Sequence, residues 1–95
     1  MEINIIHDQE GQEFTAALEQ EQAEMSYAKP QEKVIDFQHT FVPEKFRRRG
    51  VASKLIKAGL QYAAEQQWRV IASCPAVAAY IRRHAEYQPL LKTAV

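Results

Sequence analysis

Short segments in which apolar and polar residues alternate make up the first half of the chain. Residues 3–7 are apolar and mostly β-branched, and apolar positions alternate with polar ones in residues 14–18 and 25–27. A period of two is typical of strands that bury one face. Turn-forming residues follow the first segment at 8–11 and the last segment at 29–32. The pattern therefore predicts three strands joined by turns.

Residues 34–42 form the strongest predicted strand, because β-branched and aromatic side chains favour extended backbone. The side chains expected on its apolar face are those of Ile35, Phe37, His39 and Phe41. The side chains expected on the other face are those of Asp36, Gln38 and Thr40. Pro43 ends the strand, since proline has no amide hydrogen to donate to a neighbouring strand.

The second half of the chain changes to a helical period. Between residues 50 and 67 the apolar side chains recur three or four positions apart, which predicts an amphipathic helix. Residues 69–73 predict a short strand with a buried centre. Pro75 suits the first turn of a second helix, and Pro89 lies beyond the end of that helix.

These elements predict an α+β fold with a mixed, mostly antiparallel sheet of about five strands. Four antiparallel strands lead into a strand–helix–strand crossover, which is right-handed and joins parallel strands, and a C-terminal helix follows. We expect residues 1–95 to form a single domain, because this length supports one small core. Ligands of such sheets bind beyond the carboxyl ends of the strands. Residues 40–42, the loop at 47–52 and Cys74 are expected at that rim.

Composition excludes several classes of function. A single cysteine excludes an intramolecular disulfide and argues against a zinc cluster, so we expect no metal. No apolar run is long enough to span a bilayer, and the first residues do not resemble a signal peptide. We therefore expect a cytoplasmic protein without a membrane partner. An exposed edge strand in so small a sheet is compatible with a monomer or a weak dimer.

The formal net charge of zero hides an asymmetry along the chain. Residues 1–46 hold ten acidic and three basic side chains, a net charge of −7. Residues 47–95 hold nine basic and two acidic side chains, a net charge of +7. Such asymmetry favours an anionic ligand on one side of the molecule. Two halves that complement each other within one fold would give the same count.

The basic half begins with a loop whose composition favours anion binding. Arg47–Ala52 lies between a predicted strand and a predicted helix. Gly50 permits a positive φ and a close approach of the backbone to a ligand. The first turn of the helix leaves N–H groups unpaired at the positive end of the helix dipole, and arginines donate to phosphate oxygens in pairs. The simpler interpretation is a glycine turn with solvated arginines.

This loop resembles the signature of the GNAT N-acetyltransferases, in which Gln or Arg is followed at fixed spacing by Gly and by Gly or Ala. The flanking segments His39–Pro43 and Cys74–Tyr87 are similar to a branch of small, single-domain members of that family. The resemblance implies a GNAT-like sheet, acetyl-CoA as co-substrate and an amine as acceptor. Two features depart from the larger family. The helical insert after the first strand is missing, and Cys74-Pro75 replaces an asparagine-led helix.

The resemblance also implies which residues meet acetyl-CoA. The strand end at Phe41 and Val42 would align the pantetheine arm, and a backbone N–H near Val42 would polarise the thioester carbonyl. The backbone N–H groups expected to hold the pyrophosphate are those of Arg48, Arg49, Gly50, Val51 and Ala52. The side chain expected to reach the adenosine phosphates is that of Arg47, Arg48 or Lys54. The thioester would lie between the strands that end at Val42 and Ser73.

Three side chains are candidates for the chemical step. Cys74 precedes a helix N-terminus, so the hypotheses are an acetyl-cysteine intermediate and a small buried apolar residue. Tyr80 is either the acid that protonates the leaving CoA thiolate or a core aromatic residue. His39 is either the general base for the amine or a packed histidine on the apolar face of its strand.

Three functions follow from these residues. The leading hypothesis is an acetyl-CoA-dependent N-acetyltransferase in which an unidentified amine attacks the thioester directly. The alternative is a non-catalytic module that binds CoA or acyl-CoA, because the helices of the usual acceptor pocket are missing. A nucleic-acid binder would use the arginines at 47–49 and 82–83. The absence of aromatic residues interleaved with them argues against nucleic acid as a partner.

Overall fold

The computed structural model describes residues 3–92. The strands are β1 (Ile5–Asp8), β2 (Glu13–Leu18), β3 (Glu21–Gln31), β4 (Val34–Phe41) and β5 (Arg69–Ala72). The helices are α1 (Val51–Gln66) and α2 (Pro75–Arg83), with 3-10 turns at Glu44–Phe46 and Ala85–Leu90. Apart from β3, the elements begin and end within two residues of their predicted positions.

Within residues 3–92 the five strands form one sheet whose spatial order is their order along the chain. The first four strands pair antiparallel with their neighbours, and β4 and β5 pair in parallel across α1. The parallel register matches Val34 with Arg69 and Phe37 with Ala72. This mixed sheet with its crossover and C-terminal helix confirms the predicted fold class.

β3 is longer than the sequence predicts, and this corrects the position of a turn. The strand continues through Pro30 to Gln31, so the turn expected at residues 29–32 begins only after Gln31. The register between β3 and β4 shifts between Ala28 and Gln31. Proline has no N–H to donate to a neighbouring strand. It is accommodated here because the ladder of hydrogen bonds between β3 and β4 is already irregular.

α1 packs across one face of the sheet and closes the core. Its buried residues are Val51, Leu55, Ile56, Gly59, Leu60 and Ala63. A Cβ atom at Gly59 would lie 2.6 Å from Met25 Cε and 2.8 Å from Phe37 Cε1. The absence of a side chain at Gly59 therefore lets the helix approach the sheet more closely than any other residue would allow.

The opposite face of the sheet, which we call the open face, carries exposed and half-buried side chains. On the three central strands these include Thr15, Glu24, Ser26 and Asp36. On the edge strand, Ile6 keeps 60% of its surface exposed. The side chains that alternate with the core residues are therefore accessible to a ligand above the sheet.

α2 packs against α1 and β5, and the segment after it lies along the outer edge of β5. Cys74 is the N-cap residue of α2 and Pro75 is its first residue, as the sequence predicts. Leu91 bridges to Val70, and the Lys92 N–H donates to the Val70 carbonyl at 2.8 Å. Across residues 3–92, neither α1 nor any other helix has the length and apolar character needed to cross a membrane.

Candidate functional site

β4 and β5 separate at their carboxyl ends, and we call the opening between them the strand gap. The parallel ladder ends at Phe37 and Ala72, and one further bond joins the Cys74 N–H to the Phe37 carbonyl at 2.8 Å. β4 nevertheless continues to Phe41, paired with β3. In the described part of the chain, residues 38–41 therefore have a strand neighbour on one side only. Their backbone groups on the other side are available to a ligand.

A β-bulge lies at the point where β4 leaves β5. Phe37 and His39 pair with consecutive residues of β3, so Gln38 is an extra residue without a partner. A bulge bends its strand and increases the local twist. It therefore accounts for the separation of the two strands beyond Phe37.

The bulge overturns the predicted orientation of two site residues. The alternation placed His39 and Phe41 on the apolar face, but His39 is exposed and Phe41 keeps 41% of its surface accessible. One inserted residue reverses the alternation beyond it, so both side chains lie on the open face. The interpretation of His39 as a packed core histidine is therefore wrong. Thr40, expected opposite them on the polar face, is turned toward the helices instead.

Thr40 and Cys74 meet across the strand gap on its helix side. Thr40 Oγ1 and Cys74 Sγ are 3.4 Å apart, and either atom can be the donor. Cys74 keeps only 5% of its surface exposed. A hydroxyl and a thiol are thus brought together where the parallel ladder ends.

The loop between β4 and α1 is shaped by a buried anchor and by two left-handed residues. Phe46 is 1% exposed and fixes the start of the loop in the core. Arg48 has a φ of 66° and Gly50 a φ of 79°. α1 follows, and the Lys54 N–H donates to the Gly50 carbonyl at 3.1 Å as the first helical bond. The N–H groups of the first helical turn consequently have no partner within the helix.

A cavity of about 200 Å³ lies in front of this loop. Its lining residues are Val42, Phe46, Arg47, Arg48, Gly50, Ala52 and Ser53. Apart from Gly50 itself and its two chain neighbours, no heavy atom of the described residues lies within 4 Å of the position that a Cβ of Gly50 would take. Free space, unpaired N–H groups and a helix N-terminus together fit a phosphate group. Of the other predicted binding residues, Val51 has a buried side chain, and Arg49 and Lys54 have exposed ones.

The three arginines of the loop have different surroundings. Arg47 Nε donates to the Val42 carbonyl at 2.9 Å. The guanidinium carbon of Arg49 lies 5.8 Å from the centre of the Phe46 ring. Arg48 lines the cavity from a left-handed backbone position. The three residues are adjacent and identical, so no sequence pattern distinguishes these roles.

Tyr80 is buried within the aromatic packing of α2. Its ring stacks on that of His84 at 3.9 Å and lies 6.1 Å from that of Tyr87. Burial raises the pKa of the Tyr80 phenol, so the group keeps its proton at neutral pH. The ring contacts of Tyr80 are therefore with His84 and Tyr87. Thr40 and Cys74 contact each other across the strand gap.

Asp36 is a candidate site residue that the sequence pattern did not identify. It lies on the open face, one residue before the parallel ladder ends, and pairs with Ala28 and Ile71. Among the described residues its Oδ1 atom is buried and has no hydrogen-bond partner. Burying an unpaired carboxylate oxygen is costly, and such groups often have a functional role. In the sequence Asp36 looks like any polar residue of a half-buried strand.

Another cavity, of about 420 Å³, lies on the outer side of β5. Its lining residues are Ala72, Ala78, Ile81, Arg82, Gln88 and Leu91. Although it is larger than the loop cavity, it includes none of the residues expected to meet acetyl-CoA. Over residues 3–92, no group of three or more His, Cys, Asp or Glu side chains is arranged to hold a metal ion.

Comparison with known sequences relates the chain to acetyltransferase-domain proteins. Residues 13–90 match the model of the GCN5-related N-acetyl-transferase family. The chain is 31% identical over 90 residues to Protein NATD1 of Gallus gallus, covering 93% of this chain and 78% of that protein. Protein NATD1 of Homo sapiens is 31% identical, and the match covers 93% of this chain and 76% of that protein. Protein NATD1 of Danio rerio is 27% identical, and the match covers 90% of this chain and 81% of that protein.

A solved structure shares the fold. The NMR solution structure of a GCN5-like protein from Staphylococcus aureus superposes with a TM-score of 0.75. The match covers 97% of this chain and 90% of that one, at 24% sequence identity. The likeness concerns the arrangement of strands and helices, and it agrees with the five-stranded mixed sheet described above.

Proposed function

This chain belongs to the GCN5-related N-acetyltransferase family, and we propose on that premise that it binds acetyl-CoA and transfers the acetyl group to an amine. The observation that carries this proposal is the continuity between the strand gap and the loop cavity. Val42 directly follows the end of β4 and also lines the cavity. An extended arm in the gap and a diphosphate in the cavity together match the shape of CoA.

The loop would bind the diphosphate mainly through its backbone. The first-turn N–H groups of α1, together with the helix dipole, attract negative charge. Gly50 leaves the approach open, because no side chain projects there. Arg48 adds a charged donor at the cavity wall.

β4 would position the reacting group. Residues 38–41 have backbone groups without a strand partner on the gap side, so they can pair with the amides of an extended arm. An N–H group at the end of this segment would polarise the thioester carbonyl. Proximity and this polarisation supply most of the acceleration in such a direct transfer.

Proton transfer would use groups on both faces of the sheet. The amine nitrogen attacks the thioester carbon, the carbon–sulfur bond breaks, and CoA leaves as a thiolate that takes up a proton. On the open face, Asp36 and His39 are the candidate acceptors for the proton of the amine. On the helix side, Cys74 and Tyr80 are the candidate donors to the thiolate. Direct attack needs no acetyl-cysteine, so the Cys74→Ala variant should retain turnover with Tyr80 as the remaining donor, whereas an acetyl-cysteine route would lose it.

Calorimetry with acetyl-CoA and with CoA tests the binding proposal. We expect both ligands to bind the unmodified protein in the micromolar range. The matched variants are Gly50→Asp and Gly50→Asn, since both residues tolerate a left-handed backbone and differ in charge. Both variants should weaken binding, because either side chain occupies the space that Gly50 leaves open, and the aspartate variant should weaken it more because its charge repels the diphosphate. Failure of the unmodified protein to bind at high micromolar ligand would refute the proposal.

A CoA-binding module without turnover is the second candidate, and the surroundings of Tyr80 favour it. Its ring is held by His84 and Tyr87 within the packing of α2. A module of this kind would bind acetyl-CoA without accelerating the release of free CoA thiol in the presence of any amine. Amine-dependent thiol release by the unmodified protein would exclude it.

A further inference from the structure

We propose that Arg47 is a positioning residue that fixes the phosphate-binding loop to the end of β4, and that Arg48 is the arginine that meets phosphate. This inference rests on the proposed function, since it assigns different roles within the acetyl-CoA site. Its structural basis is the bond from Arg47 Nε to the Val42 carbonyl at 2.9 Å.

The Arg47 bond closes the base of the loop. It joins the residue that follows β4 to the residue that follows the 3-10 turn, five positions later along the chain. A second bond reinforces this turn, because the Arg47 N–H donates to the Glu44 carbonyl at 3.2 Å. Arg47 is thus held through its backbone and its side chain at the entrance to the cavity.

The remaining contacts separate the three arginines. The Arg49 guanidinium lies over the Phe46 ring, a cation–π arrangement that directs it along the protein surface. Arg47 and Arg48 both line the cavity, but of the two only Arg47 donates to a carbonyl of the described residues, and Arg48 has a left-handed backbone. Arg48 is therefore the arginine placed to neutralise a phosphate charge, and Arg47 shapes the cavity around it.

The bond also engages the carbonyl of the residue that directly follows β4. The Val42 carbonyl accepts from Arg47, and the neighbouring residues 38–41 have backbone groups without a strand partner on the gap side that can pair with an extended CoA arm. The position of the arm would then depend on the position of the loop. Loss of the Arg47 bond should disturb both at once.

Three variants separate positioning from charge. Arg47→Gln removes the charge but retains an N–H donor of similar reach, Arg47→Ala removes both, and Arg48→Gln is the matched control for charge. The measurement is the CoA dissociation constant by calorimetry as a function of salt concentration. A lost charge contact lowers the salt dependence, whereas a lost neutral hydrogen bond does not.

If Arg47 acts by positioning the loop, glutamine at this position should preserve CoA binding that alanine loses, because glutamine keeps an N–H donor. Arg47→Gln should bind CoA within about twofold of the unmodified protein with the same salt dependence, and Arg47→Ala should weaken binding about tenfold. Arg48→Gln should weaken binding and reduce the salt dependence. Equal losses in both Arg47 variants, with reduced salt dependence, would make Arg47 a phosphate ligand and overturn the proposal.

A measurement on the protein without ligand distinguishes this inference from the proposed function. The carbonyl ¹³C chemical shift of Val42 should move in Arg47→Ala and stay in place in Arg47→Gln and Arg48→Gln. If the unmodified protein fails to bind CoA, the proposed function falls. The Val42 shift then still decides whether Arg47 holds the loop. An unchanged shift in Arg47→Ala would overturn the positioning role.

Discussion

At the scale of single residues, His7 is an acid-sensitive contact between the edge strand and the core. Its ring stacks on Phe14 at 4.1 Å, and its Nε2 lies 2.6 Å from the Tyr27 hydroxyl. Burial lowers the pKa of the imidazole below 6.5, outweighing the nearby Asp8 carboxylate. The folded protein therefore favours the neutral histidine.

His7 predicts a loss of stability on acidification. The unfolded chain takes up the proton first, so the free energy of unfolding should decrease as the pH falls through 6.5 toward the lower pKa of the folded state. The slope due to His7 is at most about 1.4 kcal/mol per pH unit. Urea titrations at several pH values below 6.5 measure the free energy of unfolding. It should decrease less on acidification in His7→Gln than in the unmodified protein. The exposed His39→Gln variant is the control and should behave like the unmodified protein.

Asp36 carries the main prediction about the chemical step. If it accepts the proton of the amine, Asp36→Asn should lower kcat/KM by about a hundredfold, the usual contribution of a general base. CoA affinity should stay within about twofold, because the side chain lies on the open face away from the loop cavity. Thiol release gives the rate and calorimetry the affinity. An unchanged rate in Asp36→Asn with a large decrease in His39→Gln would assign the role to His39.

The residue scale is also where prediction from sequence failed most clearly. His39 and Phe41 were placed on the wrong face because the alternation of apolar and polar residues continues without interruption through Gln38. A bulge of this type depends on how β3 and β5 pair with β4. Neither pairing is encoded in the local pattern of one strand.

At the scale of elements, the close contact between α1 and the sheet leaves no space for a side chain at position 59. Gly59 weakens the helix intrinsically, since glycine is a poor helix former. The space that it leaves is filled by Met25 and Phe37. Close packing between helix and sheet therefore outweighs helical propensity at this position.

Gly59→Ala is expected to destabilise the protein although alanine favours helix. The clash with Phe37 should cost more than the gain in propensity, giving a net loss of about 1–2 kcal/mol. Ala64→Gly, on the exposed side of α1, should also lose about 1 kcal/mol through propensity alone. Thermal or chemical unfolding measures both. A more stable Gly59→Ala variant would show that the helix can move away from the sheet at little cost.

Most elements were predictable because each has a clear hydrophobic period. α1 was expected at residues 50–67 and spans Val51–Gln66. The exception is β3, where Pro30 indicated a turn and instead lies at an irregularity within the strand. Whether a proline ends a strand or is accommodated depends on the neighbouring strand, which the local sequence does not specify.

At the scale of the whole molecule, the charge asymmetry has a structural counterpart. Acidic residues such as Glu24 and Asp36 lie on the open face of the sheet. Three arginines lie in the loop at the start of α1, where the anionic part of CoA would bind. Under the proposed function, the loop side would meet the anionic donor and the open face would meet the cationic acceptor.

This arrangement predicts that acetyl-CoA binding weakens with salt. Raising the ionic strength from about 0.1 M to about 1 M shortens the screening length from about 10 Å to about 3 Å. The association rate should fall more than the dissociation rate rises, because steering acts before contact. Stopped-flow measurements at several salt concentrations test this. An association rate independent of salt would show that the basic residues do not steer the ligand.

The candidate site was only partly visible in the sequence. The loop at residues 47–52 is a contiguous motif, so the sequence alone predicts it as a phosphate site. The strand gap, the contact between Thr40 and Cys74, and the buried oxygen of Asp36 depend on where two distant strands stop pairing. That point is a property of the folded sheet and not of either strand alone.

The consecutive order of the strands also has a consequence for the order of folding. β1 to β4 pair through short turns, so their contacts close small loops and are expected to form early. β5 can pair with β4 only after the intervening 27 residues, from Val42 to Trp68, have brought the two strands together. The strand gap lies between these two strands. The nascent protein should therefore acquire its hairpins first and its strand gap last.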